Sequence, residues 1–178
     1  MDIDETNKNP ARDTSGLAGE FFVLAELLKR GYQSSFTLGN AKTVDIFSSN
    51  HRTGKTVRIQ VKTYSGKPRK DNHAKWQIGR KLWDSSEESV KDLVYIFVVL
   101  YPRGKDHPIY YIARAWNVKQ QTQHDVERYL QELEEGKRIY KGRLESPQAV
   151  RDYPMKDFYS VKFDQDGYKF LSWDEIFS

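Results

Sequence analysis

The sequence has no cysteine, so it can form no disulfide and offers no thiolate to zinc, as suits a reducing compartment. It has no long apolar run either. The longest, Leu93 to Tyr101, falls far short of the roughly 20 residues a membrane span needs. The opening stretch MDIDETNKNPARDTSG is polar and lacks the apolar segment of a secretory signal. Neither sign of charge dominates: 29 Lys and Arg stand against 25 Asp and Glu, a net +4, which by itself establishes no nucleic-acid partner. The histidines (His51, His73, His107, His124) show no HExxH or other ligand spacing. No GxSxG, P-loop or dinucleotide fingerprint is present. These absences argue against a disulfide scaffold, a membrane span, a Cys- or His-based zinc site and the common nucleotide-binding folds. The expectation they leave is a soluble, cytoplasmic protein.

What is present suffices for a folded core. A chain of 178 residues fits one domain and can bury roughly 70% of its unfolded surface, and 13% aromatic residues is too many for a disordered chain. A polar leader is expected over residues 1–13 and a single domain over 14–178. The first helix is expected from a Thr14 or Ser15 cap through LAGEFFVLAELLKR to Gly31, which suits a left-handed cap. Gly16 and Gly19 within it favour close packing. Strands are expected at SSFTL (34–38), TVDIFSS (43–49) and TVRIQVKTY (56–64). Residues 65–90 read as a loop with a short ordered piece. LVYIFVVLY (93–101) reads as a strand buried on both faces and IYYIARAW (109–116) as the next strand. A mostly polar helix follows over 118–135, ending at Gly136. Its acids around Glu132 and Glu135 would oppose a basic stretch of a second copy, which leaves a homodimer open. A strand at FYSVKF (158–163) and a short capped helix at SWDEIF (172–177) complete the chain.

The register of two strands can be derived. If HRTG (51–54) is a four-residue hairpin loop, residue 50 pairs with 55, Ile46 faces Ile59 and Val44 faces Val61. One face is then apolar throughout, which is what fixes register in a half-buried hairpin. The other face places Asp45 opposite Gln60, with Lys62 one step along. Directly opposed residues bring their Cβ atoms to about 5 Å, so a carboxylate, an amide and an ammonium converge. Singly, each has an ordinary explanation: Arg58, Gln60 and Lys62 as the solvated face of a strand, Asp45 as a cap at its edge. Glu20 shares a helical face with Leu17, Leu24 and Leu27, where a carboxylate is seldom buried unless paired. A place at the margin of that stripe is its ordinary explanation.

Together, Glu20, Asp45, Gln60 and Lys62 resemble the PD-(D/E)XK nuclease superfamily. The resemblance implies an α/β fold with a restriction-endonuclease-like αβββαβ core, a central mixed sheet flanked by helices. In it the first helix supplies an acid (Glu20) and the second strand an Asp (Asp45 in TVDIF). The third strand carries (D/E)-X-K, here Gln60-Val61-Lys62 in RIQVKT, with Gln in the acidic place. The Pro of the family name is Val44. The looser layout, with strands like YIFVVL and YYIARAW and a closing Trp-containing helix, is similar to that of small prokaryotic members. The resemblance implies a Mg²⁺- or Mn²⁺-dependent endonuclease acting on DNA. Asp45, Gln60, the Val61 backbone carbonyl and Glu20 would hold the metal, and Lys62 would orient or activate the attacking water. Alternatives are a catalytically inactive nucleic-acid-binding member of the fold and a protein-interaction module held by an ion-pair network.

Between Lys62 and Trp83 the chain carries Lys67, Arg69, Lys70, Lys75, Arg80 and Lys81 against the single acid Asp71, interleaved with Tyr64 and Trp76. Such a stretch can track phosphates while its rings stack on unpaired bases. It equally fits a solvated loop whose tryptophans anchor it to the core.

Overall fold

A computed structural model describes residues 10–37, 44–66, 76, 78–101, 107–137 and 170–178. Helix α1 spans Pro10–Lys29. It starts ahead of the expected Thr14 or Ser15 cap, because a proline in the first turn sacrifices only an N–H that has no intrahelical partner. It stops where Gly31 takes φ +82°. The Gly31 N–H then donates to the Leu28 carbonyl at 2.9 Å and the Tyr32 N–H to the Leu27 carbonyl at 3.1 Å, the paired bonds of a glycine-capped helix end.

Strands β1 (Gln33–Phe36), β2 (Ile46–Ser49), β3 (Thr56–Ser65), β4 (Leu93–Leu100) and β5 (Ile109–Arg114) form one sheet in that order. All neighbours are antiparallel except β3 and β4, which run parallel. A parallel pair needs a crossover, and residues 66–92 provide it. Two short helices lie there, α2 (Arg80–Trp83) and α3 (Glu87–Val90), where the sequence suggested only one ordered piece. The fold is therefore the expected α/β class, a mixed sheet with helices on both faces and the αβββαβ order of a restriction-endonuclease-like core. Helix α4 (Ala115–Glu134) follows β5 directly, and a 3₁₀ helix spans Asp174–Phe177. The strand expected at 158–163 and the leader's residues 1–9 lie outside the described residues.

The β2–β3 hairpin has the derived register from Ser49–Thr56 to Ile46–Ile59, but the expected Val44–Val61 and Asp45–Gln60 pairs are not part of the ladder, which ends at Ile46. Ile46 pairs with Ile59 and Ser49 with Thr56, and the Asn50 N–H donates to the Lys55 carbonyl at 2.9 Å. Ile46, Val57, Ile59 and Val61 face α1, packing with Val23, Leu27, Ile176 and Phe177. The opposite face of the sheet packs Tyr95, Phe97 and Val99 against Ala115 and Val118 at the start of α4 and against Trp76, Ile78 and Leu82 of the crossover. Every residue of β4 is buried, as its unbroken apolar run requires. Arg58 ties the crossover down: Nε and Nη2 fork onto Asp92 at 2.9 and 2.5 Å, and Nη2 also reaches the Ser89 carbonyl. No helix among the described residues is long and apolar enough to cross a membrane.

Helix α1 can lie close to β3 because Gly19 has no side chain. A Cβ there would meet Thr63 Oγ1 at 1.9 Å, with Thr63 Cβ and Cγ2 both at 3.0 Å. Thr is stiff at χ1, so rotation cannot clear the overlap. In an open helix Gly→Ala gains roughly 0.5–1 kcal/mol. Here Gly19→Ala should instead cost about 1–3 kcal/mol in urea denaturation, the range for overpacking. Adding Thr63→Ala should recover part of it as a positive coupling in a double-mutant cycle. A Gly19→Ala protein as stable as the parent contradicts the close approach.

Candidate functional site

The β2–β3 ladder stops at Asp45, and its side chain is what stops it. The Asp45 N–H donates to the Ile59 carbonyl at 2.8 Å, one residue off the Ile46–Ile59 register, while the Asp45 carbonyl turns the other way to accept from the Thr37 N–H at 3.0 Å, so the backbone leaves the ladder here. The next N–H along that edge of β3, on Val61, is met by Asp45 Oδ2 at 2.6 Å in place of a backbone carbonyl. Gln60 Nε2 donates to the same oxygen at 2.5 Å. Oδ1 accepts nothing from the described residues. A residue's N–H and C=O leave a strand on the same side, so the Val61 carbonyl opens onto this edge too. Asp45 is thus the strand-end cap of the ordinary explanation and, at the same time, a carboxylate with one oxygen to spare.

Gln60 and Lys62 lie on the sheet face away from α1, but not in solvent. Gln60 is 7% exposed. Glu20 arrives from the other side. One residue before it, Gly19 lets α1 approach β3 closely at Thr63, and Glu20 is within electrostatic reach of Asp45 and Lys62. The described residues give neither Glu20 nor Lys62 a hydrogen bond, yet each feels the other and Asp45 electrostatically. Burial pushes the Asp45 carboxyl up, against the lowering effect of the Val61 N–H, Lys62 and Gln60. Glu20 is raised by burial and by repulsion from Asp45. Burial lowers Lys62 although both carboxylates pull it the other way. Desolvation therefore outweighs pairing for all three groups, and at neutral pH the two raised carboxylates cost the fold stability.

Such a site has room in its charge balance for a cation. Its donors are all oxygen: Asp45 Oδ1, the Glu20 carboxylate, the Val61 carbonyl and the Gln60 amide oxygen. Hard divalent ions take such sets, and Mg²⁺ uses only one or two protein carboxylates while keeping waters. Among the described residues no three of His, Cys, Asp and Glu are clustered to hold a metal. The residues fit a weakly held Mg²⁺ or Mn²⁺, not a dedicated protein cage.

One neighbour escaped the sequence reading. Tyr95 is the cross-strand partner of Gln60 on β4, and its phenol is pushed up to about 12 by burial and by Asp45. The uniform apolarity of LVYIFVVLY hid it.

The expected nucleic-acid residues divide. Lys67, Arg69, Lys70 and Lys75 lie outside the described residues. The side chain of Arg80, at the start of α2, is likewise not described, and Lys81 is exposed. Trp76 is corrected: it is 3% exposed, edge-on to Phe97 at 5.4 Å and to Tyr64 at 6.2 Å. Burying an indole against other rings is worth more than presenting it to water, so Trp76 anchors the crossover and offers no face to a base.

No family model matches the chain, and no curated protein does. Among solved structures, that of a bacterial homing endonuclease aligns with 57% of this chain and 63% of its own length, at 16% identity and a TM-score of 0.38. The aligned part spans less than two thirds of that structure's chain.

Asp45→Ala should leave the Val61 N–H without an acceptor and cost about 1–3 kcal/mol. Asp45→Asn keeps a carbonyl oxygen in place and should cost clearly less. Urea denaturation of the two variants measures the difference, and equal stability would mean that the Asp45–Val61 bond does not hold the strand end.

Proposed function

We propose that this protein is a metal-dependent nuclease that hydrolyses DNA phosphodiester bonds, a PD-(D/E)XK-like enzyme with Gln60 in the acidic place. What supports the proposal is that Asp45, at the end of β2, is hydrogen-bonded to Gln60 and to the Val61 N–H of β3 while Glu20 of α1 and Lys62 of β3 act on it electrostatically. A structural ion-pair network would bring its charges into contact. Here Lys62 closes onto neither carboxylate as an ion pair among the described residues, and all three charges are held at a desolvation cost. Uncompensated charge of this kind is typical of sites whose partner is a ligand.

In this reading Asp45, Glu20, the Val61 carbonyl and the Gln60 amide oxygen hold Mg²⁺ or Mn²⁺. The metal, when bound, polarises the phosphate and lowers the pKa of its water. Asp45 is aimed by its two bonds to β3, which fix Oδ2 and leave Oδ1 for the ligand. Gln60 serves first as the residue that orients Asp45. Lys62, its pKa lowered by burial, positions the attacking water and offsets charge developing on phosphorus. Tyr95 walls the site from β4 and stays neutral.

A second reading, a non-catalytic DNA-binding member of the fold, is favoured by one feature: the Gln60 amide nitrogen, not its oxygen, is turned to Asp45. Incubation of plasmid, linear, single-stranded and branched DNA with Mg²⁺ or Mn²⁺ separates the two. Cleavage by the wild type should fall at least about 100-fold in Lys62→Ala and in Asp45→Asn, the scale of a lost acid–base or electrostatic group. Full activity in Asp45→Asn would sink the site. Binding without cleavage of any substrate would favour the second reading.

A further inference from the structure

At the far end of α1 and of the hairpin lies a second polar site. The cleft there, of about 220 Å³, is lined by Arg30 and Tyr32 after α1, by Asn50, His51 and Arg52 of the β2–β3 loop, and by Asp174 of the 3₁₀ helix. Along α1 it stands about 15 Å from Glu20, at roughly 1.5 Å rise per residue. It shares no residue with the candidate nuclease site.

The cleft is built rather than incidental. The Tyr32 hydroxyl donates to Asp174 Oδ1 at 3.0 Å and the Tyr32 ring packs on Phe177 at 4.4 Å, which fixes the floor. Arg30 is held 5.1 Å over the Trp173 ring, as a stacked guanidinium. Arg52 is presented by a tight loop in which Asn50 Oδ1 accepts from the Arg52 N–H at 2.9 Å. Both arginines line the cleft and act electrostatically on the Tyr32 phenol. Neither closes onto Asp174 as an ion pair. Among the described residues the Arg52 guanidinium and the His51 ring have no hydrogen-bond partner at all.

The charges have a definite sum. Arg30 and Arg52 against Asp174 leave one positive charge; Arg30 Nη2 also donates to Glu26 at 3.5 Å, and that carboxylate is balanced by Lys29 at 3.7 Å. Two guanidinium forks and an imidazole suit a tetrahedral oxyanion better than a planar carboxylate, which one fork already satisfies. The single net charge matches a monoanion, and the open cleft has room for a phosphate group. We propose that this cleft is a binding site for a monoanionic phosphate, a phosphodiester of a nucleic-acid strand or a free phosphate.

Titration of ¹⁵N-labelled protein with dimethyl phosphate, inorganic phosphate and a short single-stranded DNA tests it by NMR. Saturable shifts are expected at the Gly31, His51 and Arg52 amides. Arg52→Gln, an exposed and unpartnered position whose loss should not unfold the protein, should weaken binding about tenfold. Asp174→Asn keeps an acceptor for Tyr32 while removing a negative charge, and should tighten binding about twofold or more. Damage to the fold would not produce that opposite sign. Shifts by the DNA that follow both variants identify a strand as the source, and shifts by phosphate alone identify the free ion. No saturable shift with any probe, or affinity unchanged in Arg52→Gln, overturns the proposal.

Discussion

The acceptance of the Val61 N–H by the Asp45 carboxylate is the interaction on which the candidate site depends. Had a backbone carbonyl met that N–H, β2 would have continued alongside β3 and covered its edge. A side-chain acceptor ends the ladder there, and among the described residues no strand pairs with the C-terminal half of β3 on that side. Within electrostatic reach of Asp45 are Glu20, carried by a helix that approaches β3 closely at a glycine, and Lys62, carried by the strand itself. The hydrogen bond that terminates pairing is also the one that aims a carboxylate.

The electrostatics follow from that opening. The edge lies between two apolar layers, the α1 layer and the α4 layer, so its charges are desolvated without being closely paired. Pairing them directly would be more stabilising, and the fold gives that up. Elsewhere it does the reverse. Arg58 and Asp92, on the same strand face and its crossover, close into a forked ion pair, with Asp92 held below its usual carboxylate range chiefly by that hydrogen bond. A fork at one end of β3 and separated charges at the other make the contrast between a fastening and a site.

The β2–β3 register was legible because the apolar alternation of Val44, Ile46, Val57, Ile59 and Val61 admits one pairing for a four-residue loop, and the pairing pointed to Asp45, Gln60 and Lys62 although the ladder itself ends at Ile46. The caps at Gly31 and Gly136 were legible because only a left-handed residue ends those helices so abruptly. The rest depends on contacts distant in sequence. Nothing near Arg58 announces Asp92, and nothing near Gly19 announces Thr63. Trp76 looked like a ring in a basic loop because its partners Phe97 and Tyr111 come from strands downstream. Tyr95 looked like one more apolar residue because its polar neighbour sits on another strand. The cleft between Arg30 and Arg52 joins three segments that share no pattern at all.

In the proposed reading, the uncompensated charge at Asp45 and Glu20 awaits a divalent cation. Thermal denaturation with increasing Mn²⁺ or Mg²⁺ tests it without any substrate. A ligand at 100 times its Kd adds about 2.7 kcal/mol, so the wild type should gain several degrees in Tm. Asp45→Asn should lose that gain. Gln60→Glu should start lower without metal, from added carboxylate repulsion, and gain more with it. A wild-type Tm indifferent to both cations, or a gain that survives in Asp45→Asn, would contradict the account.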